Sequence, residues 1–162
     1  MKNQKGFSLI ELLIVVAIIL IIAAIAIPNL LQARAAANES SAVGSIRTID
    51  IAEVVYQSTY PDVGFAVQLS DLGSGGATPC VTGVANACLI DSNLESGAKS
   101  GYNFTAVGTG GTPNLQYFAS GTPNSSAGNR SFCSVEDGTV RVDQTGGAIP
   151  DNATCAALTP IQ

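Results

Sequence analysis

The chain has 162 residues, which is room for one domain and one extension. It is acidic, with a formal net charge of −5 and a pI near 4.4, which argues against a general nucleic-acid surface, since that needs clustered Lys and Arg. It contains no His, so the commonest general base and metal ligand is absent and no Ser/His/Asp or Cys/His catalytic set can form.

Residues 1–6 carry Lys2, Lys5 and the start amine, with no acid. By the positive-inside rule this end stays cytoplasmic and the chain beyond Pro28 is exported. Mean hydropathy is +0.33, and much of that apolar excess lies in residues 9–27. This run is about long enough to cross a bilayer as a helix, which takes ~20 residues. One carboxylate, Glu11, interrupts it near its start. An ionised acid costs about 2.5–3.5 kcal/mol at mid-bilayer and less near the edge, so Glu11 is expected to have a use. A secretory signal peptide is the plain alternative, and Ala24-Ile25-Ala26 offers a cleavage pattern. Against it, Glu11 stands where the apolar core of a signal should begin, and the helical pattern does not end at Ala26.

Past Pro28, residues 29–37 are strong helix formers. Val43, Ile46, Ile49, Ala52 and Tyr56 then recur at helical spacing, with Glu39, Arg47, Asp50 and Glu53 assigned to polar positions. One helix is predicted from about residue 7 to about residue 59, ended by Tyr60-Pro61-Asp62. At 1.5 Å per residue it would be on the order of 80 Å long, so its first half should project from the domain that its second half packs against. Pro28 cannot donate the helical hydrogen bond and should kink or loosen the helix; Gly44 is a second soft point.

Residues 62–79 read as a loop, in which residues 65–69 form a short strand or turn and Gly73-Ser74-Gly75-Gly76 is flexible. Strands are predicted over 102–107, 115–119, 130–135 and 139–143, the last two flanking the hairpin signal Asp137-Gly138. Gly108, Gly110 and Gly111 lack the Lys of a phosphate loop and read as turns. Short links imply an antiparallel order. The tail, 146–162, is expected to be irregular and tied down by Cys155. The expected fold class is α+β: a long protruding N-terminal helix packed by its C-terminal half on a small antiparallel sheet.

The four cysteines, Cys80, Cys88, Cys133 and Cys155, all lie beyond the apolar run. An even number placed there suggests disulfides in an oxidising compartment, and the spacing does not resemble a zinc site. Of three possible pairings, Cys80 with Cys88 and Cys133 with Cys155 is favoured, because it keeps each bridge local. Glu136, Asp137 and Asp143 could suggest a calcium site, but no EF-hand pattern is present and a solvated hairpin is the favoured reading. No metal and no cofactor is expected. Four Asn-X-Ser/Thr matches, at Asn38, Asn103, Asn124 and Asn152, carry little weight in so Asn- and Ser-rich a chain.

The opening stretch resembles the type IV pilin and pseudopilin family. Lys5-Gly6-Phe7, then Glu11, the apolar run and Ile27-Pro28 carry the resemblance, over roughly the first quarter of the chain. It implies a leader of residues 1–6, cut after Gly6 by a membrane-embedded prepilin peptidase that also methylates the new amine of Phe7. It implies that Glu11 neutralises the amino terminus of a neighbouring subunit during assembly. Phe7 and Glu11 are four apart and share a helix face, and a buried carboxylate is tolerated when a cation pairs with it. One departure is Leu20, where many family members have Gly.

The resemblance further implies residues 7–28 as transmembrane segment and filament core, 29–59 as the amphipathic half of the helix, and 60–162 as a β-rich head. The implied partners are sister subunits in a helical filament, the inner membrane, the prepilin peptidase, an assembly platform, motor ATPases and minor pilins. The implied location is a single-pass inner-membrane precursor with its N-terminus in the cytoplasm, then an extracellular pilus. The expected role is structural, not enzymatic, serving adhesion, motility or DNA uptake. Two alternatives stand beside it: a type II secretion pseudopilin forming a periplasmic piston, and a singly anchored binding domain that never polymerises.

Overall fold

A computed structural model describes residues 8–124 and 127–161. Lys2, Lys5, Gly6, Phe7 and the Ser125-Ser126 part of the third Asn-X-Ser match lie outside the described residues. The first element is α1, Leu9–Thr59, a helix of 51 residues that contains Pro28. The chain divides into two units, Met1–Arg34 and Ala35–Gln162.

In the first unit α1 has no core of its own. Its large apolar side chains are all exposed, from Leu9 at 80% to Leu31 at 60%.

In the second unit α1 has two unlike faces. Of the predicted apolar positions, Ile46, Ile49, Ala52 and Tyr56 are buried, while Val43 is half-buried and its neighbour Ala42 takes the buried place. The polar positions differ from expectation. Glu39, Asp50 and Glu53 are buried too, while Ile51 and Val54 are exposed at 67% and 58%. The phase of the helix explains it. Positions 39, 42, 46, 49, 53 and 56 form one stripe in steps of three and four, so a stripe that buries Ile46 and Tyr56 must also bury Glu39 and Glu53.

The rest of this unit is a six-stranded antiparallel meander in sequence order. Its strands are β1 (Ala98–Lys99), β2 (Tyr102–Thr109), β3 (Gln116–Pro123), β4 (Ser131–Val135), β5 (Arg141–Asp143) and β6 (Thr159–Pro160). Short helices add α2 (Ser92–Glu95) and α3 (Asn152–Ala156), with a 3-10 turn at Leu69–Leu72. The pleat sorts the sheet's side chains. Tyr102, Phe104, Tyr117, Ala119 and Phe132 join the core with α1, whereas Phe118, Cys133 and Val135 form a second cluster with Ile149 and Cys155. With both faces covered, all five β4 residues are buried, including Ser131 and Ser134. Gly121 faces α1. A Cβ there would stand 2.8 Å from Phe104 Cε1 and 3.7 Å from Ile46 Cδ1, so its missing side chain lets the layers meet.

The β4–β5 connection is a hairpin with Gly138 at φ +65° and a Gly138 N–H to Val135 C=O bond of 2.8 Å. This fits the Asp137-Gly138 signal. Of the strand or turn expected over residues 65–69, the structure has the turn, with the Ala66 N–H donating to Glu53 Oε2 at 2.9 Å, and one expectation changes. The tail is not irregular throughout: Asp151 caps α3 through the Thr154 N–H at 2.7 Å, and β6 pairs with β5.

Candidate functional site

The features that can carry function lie along α1. At its start, Ser8 precedes the first helical residue and Glu11 sits in the first turn. The Ser8 N–H donates to Glu11 Oε2 at 3.0 Å. This is half of a capping box, in which a carboxylate at the third helical position satisfies a backbone donor that the helix leaves open. The sequence reading missed it, although Ser8-Leu9-Ile10-Glu11 is the S-x-x-E pattern for such a cap. Glu11 therefore has a local task as well as any intermolecular one. Its bond to Ser8 uses Oε2, and Oε1 makes no hydrogen bond among the described residues.

Downstream, an 18-residue window with mean hydropathy 3.3 is wholly unburied. Such a surface is unstable in water and needs lipid or other apolar helices around it. Leu20 is 63% exposed and continues the apolar surface. Pro28 lies inside the helix and has no N–H for the Ala24 carbonyl. The adjacent Asn29 side chain donates to the Ile25 carbonyl at 3.1 Å, placing an extra donor beside the break.

In the second unit Glu39 anchors the chain before β4. It accepts the Asn129 N–H at 2.9 Å, Arg130 Nε at 2.8 Å and Arg130 Nη2 at 2.5 Å. Burial alone would raise its carboxyl, but Arg130 and the Asn129 N–H outweigh it and hold Glu39 below the usual carboxylate range. Asn38 adds a bond to the Ala127 carbonyl at 2.9 Å. That bond sets the first Asn-X-Ser match inside a packed contact.

Asp50 and Glu53 differ from Glu39 in having no cation bonded to them. Burial pushes Asp50 up to about 6 and Glu53 up to about 7. Nothing in the linear pattern separates them from solvated helix acids; only the stripe they share with Ile46, Ile49 and Tyr56 could have found them.

The cysteines are joined as Cys80–Cys88, with Cα atoms 6.2 Å apart, and Cys133–Cys155, with Cα atoms 6.0 Å apart. The second bridge ties β4 to α3 and is completely buried. Among the described residues no three acids, Cys or His gather into a metal site. Asp137 pairs with Arg141, which lowers its carboxyl; Glu136 accepts from Asn152 Nδ2 at 2.9 Å; Asp143 accepts from Thr145 Oγ1 at 2.7 Å.

Comparison with known proteins agrees with the N-terminal geometry. The family described as the prokaryotic N-terminal methylation motif matches residues 1–27. The type IV wide pilus major component PilA4 of Thermus thermophilus is 68% identical over 40 residues, which is 25% of this chain and 30% of that protein. The type IV major fimbrial protein FimA of Dichelobacter nodosus is 36% identical over 110 residues, 66% of this chain and 57% of FimA. A fimbrial protein of Pseudomonas aeruginosa is 40% identical over 95 residues, 51% of this chain and 62% of the relative. The chain thus spans between 30% and 62% of the length of these relatives. Lys5-Gly6-Phe7, an acid at Glu11 in the first helical turn, an exposed apolar helix and an antiparallel sheet are what this chain has in common with its relatives, and over residues 1–27 it is similar to type IV pilins.

Proposed function

We propose that this chain is the structural subunit of a type IV pilus-like filament, made as a membrane-inserted precursor and polymerised through its N-terminal helix. One observation carries the reading: the described part of the first unit is an apolar helix with no buried residue and a single acid in its first turn. The same surface suits two environments. In the precursor it meets lipid tails, and in the filament it meets sister helices, so assembly exchanges one apolar contact for another. On the second unit's part of α1, Ile51 and Val54 are also large apolar side chains left exposed.

In this reading a prepilin peptidase cuts after Gly6 and methylates Phe7. Glu11 then pairs with the amino terminus of a neighbouring subunit, and an assembly platform with motor ATPases drives growth. An unpaired buried carboxylate is costly, by ~3–5 kcal/mol when a buried pair is broken, so a docked subunit that pairs Glu11 is favoured over one out of register. The names of the relatives, pilus and fimbrial components, support the filament role. Adhesion, motility and DNA uptake are the tasks such a filament serves.

The test replaces Glu11 by Ala and by Gln in the source organism, with mass spectrometry of sheared surface material. The expected result is filaments that begin with methylated Phe7 in the wild type, and loss of filaments with precursor retained in the membrane for Glu11→Ala. Filaments of normal abundance from Glu11→Ala would overturn the role of Glu11. Absence of the chain from surface filaments, together with loss of exported enzymes on deletion, would turn the assignment to a periplasmic piston.

A further inference from the structure

Asp50 and Glu53 stand three residues apart on the inner face of α1, and both are buried, Glu53 completely. Each has one satisfied oxygen. Asp50 Oδ1 accepts the Tyr117 hydroxyl at 2.9 Å, and Glu53 Oε2 accepts the Ala66 N–H at 2.9 Å. The other two oxygens, Asp50 Oδ2 and Glu53 Oε1, are buried with no hydrogen-bond partner among the described residues.

The surroundings do not balance two negative charges. From α1 itself come Tyr56 and Arg47; from the 3-10 turn, Asp71; from β3, Tyr117; from β4, the Ser134 hydroxyl; from the β4–β5 hairpin, Asp137. Asp71 and Asp137 add negative charge. Asp137 is further paired with Arg141, which therefore offers little to the acids. Arg47 is the one cation acting on Asp50, and its side chain is exposed to water. A pair of ionised carboxylates at this position would be uncompensated in a dry interior, an arrangement that proteins avoid by neutralising a group.

We infer that Asp50 and Glu53 form one buried proton-binding site, which keeps a proton when surface carboxylates are ionised and so couples the packing of α1 on the sheet to ambient pH. The proton removes one negative charge. The acid that holds the proton also becomes a donor, where its orphan oxygen had none to accept from. The two groups then titrate as a pair and not as separate residues. Their upward displacement, caused first by burial and then offset in part by the Tyr117 and Ala66 bonds, agrees with this.

The direction of the coupling follows. Unfolded, both acids release their protons near their ordinary values; folded, they hold one to higher pH. The stabilisation is complete below the ordinary carboxylate range and is lost as pH rises through about 6 and about 7. For one proton, the unfolding equilibrium constant should rise about tenfold per pH unit across that window.

The experiment uses the full chain in detergent micelles. Its four Tyr, at 56, 60, 102 and 117, all lie in the second unit, so their near-ultraviolet dichroism reports on that unit during denaturant titration. Wild type, Glu53→Gln and Asp50→Asn are compared from about pH 5 to about pH 8, around the ordinary carboxylate range and above it. The expected result is a slope approaching tenfold per pH unit in wild type up to about pH 6, levelling above about pH 7, and a clearly shallower slope between about pH 6 and about pH 7 in Glu53→Gln, whose amide oxygen still accepts the Ala66 N–H. Infrared spectra of wild type at about pH 6, where exposed carboxyls are ionised, should show a protonated-carboxyl stretch. That band needs no variant to fold. Its absence, or equal slopes in wild type and both variants, would overturn the inference.

Discussion

Removing the Arg130 guanidinium should unfasten the loop before β4 from α1, and its effect can be sized. Glu39 is 7% exposed and accepts three hydrogen bonds, two of them from Arg130. Arg130→Ala leaves the carboxylate with the Asn129 N–H alone. Breaking a fully buried pair costs ~3–5 kcal/mol. Here the Arg130 side chain is 43% exposed, so water reaches the site and screens the loss, to ~1.5–3 kcal/mol. Arg130 also lies 5.9 Å over the Phe132 ring, a contact of ~0.5–1 kcal/mol at a partly exposed site. The total for Arg130→Ala is then ~2–4 kcal/mol. Glu39→Gln keeps an acceptor for Asn129 and should lose less. A double-mutant cycle on the full chain in detergent, at about pH 7 and followed by tyrosine dichroism, should give a coupling of ~1–2 kcal/mol. Glu39 is held below the usual carboxylate range, so its contribution is present above the ordinary Glu value and fades as pH falls through the lowered one. The gap between wild type and Arg130→Ala should therefore narrow towards about pH 3. A coupling below ~0.5 kcal/mol, or a gap that does not change with pH, would refute the assignment of the anchor to charge.

The two bridges should differ in worth. Closing 8 residues gives roughly 2.5 kcal/mol and closing 22 gives roughly 3.4 kcal/mol in the chain-entropy account, and the Cys133–Cys155 sulfurs add buried contacts, so its double Ala variant should lose more in a denaturant titration. Equal losses would contradict this. Gly121→Ala should destabilise by ~1–3 kcal/mol through the clash with Phe104, while Gly44→Ala, where a Cβ meets nothing within 4 Å, should stabilise the isolated chain by ~0.5–1 kcal/mol. Thermal melts of the pair test the contrast. Stability against pH should peak on the acid side, at about pH 4–5, because Glu39 weakens below the ordinary carboxylate range and the Asp50–Glu53 pair loses its contribution from there up to about 7. A stability that does not fall between about pH 5 and about pH 7 would speak against the buried pair.

The parts of this fold readable in the sequence are those set by local chemistry. The long helix follows from periodicity and stops where Tyr60-Pro61 stops it. The strands around Tyr102, Tyr117, Phe132 and Val142 follow from β-formers between turn residues, and the β4–β5 hairpin follows from Asp137-Gly138. The parts that were not readable depend on what covers what. The helix phase set by Ile46 and Tyr56 already turns Glu39 and Glu53 inward, but which of these acids meets a cation is decided by the sheet side, where Arg130 reaches Glu39 and no cation bonds to Glu53. The structure of the tail escaped notice because α3 is short and β6 has two residues; both form only because β4 and β5 are already in place to receive Cys155 and Thr159. At the helix start the missed cap was legible, but the oddity of an acid before an apolar run obscured its ordinary task at Ser8.

The meander begins and ends on strands of two residues, β1 with Lys99 and β6 with Pro160. Long, flat outer strands present rows of open backbone groups that recruit further strands, and short length, a lysine and a proline are the usual defences. In a filament of the proposed kind, sheets of neighbouring subunits would be crowded at a concentration no free protein reaches. Blunt outer strands on both sides would keep them from zippering into one another. Association would then be confined to the helices, and the same chains could be added and withdrawn without fusing into an amyloid-like ribbon.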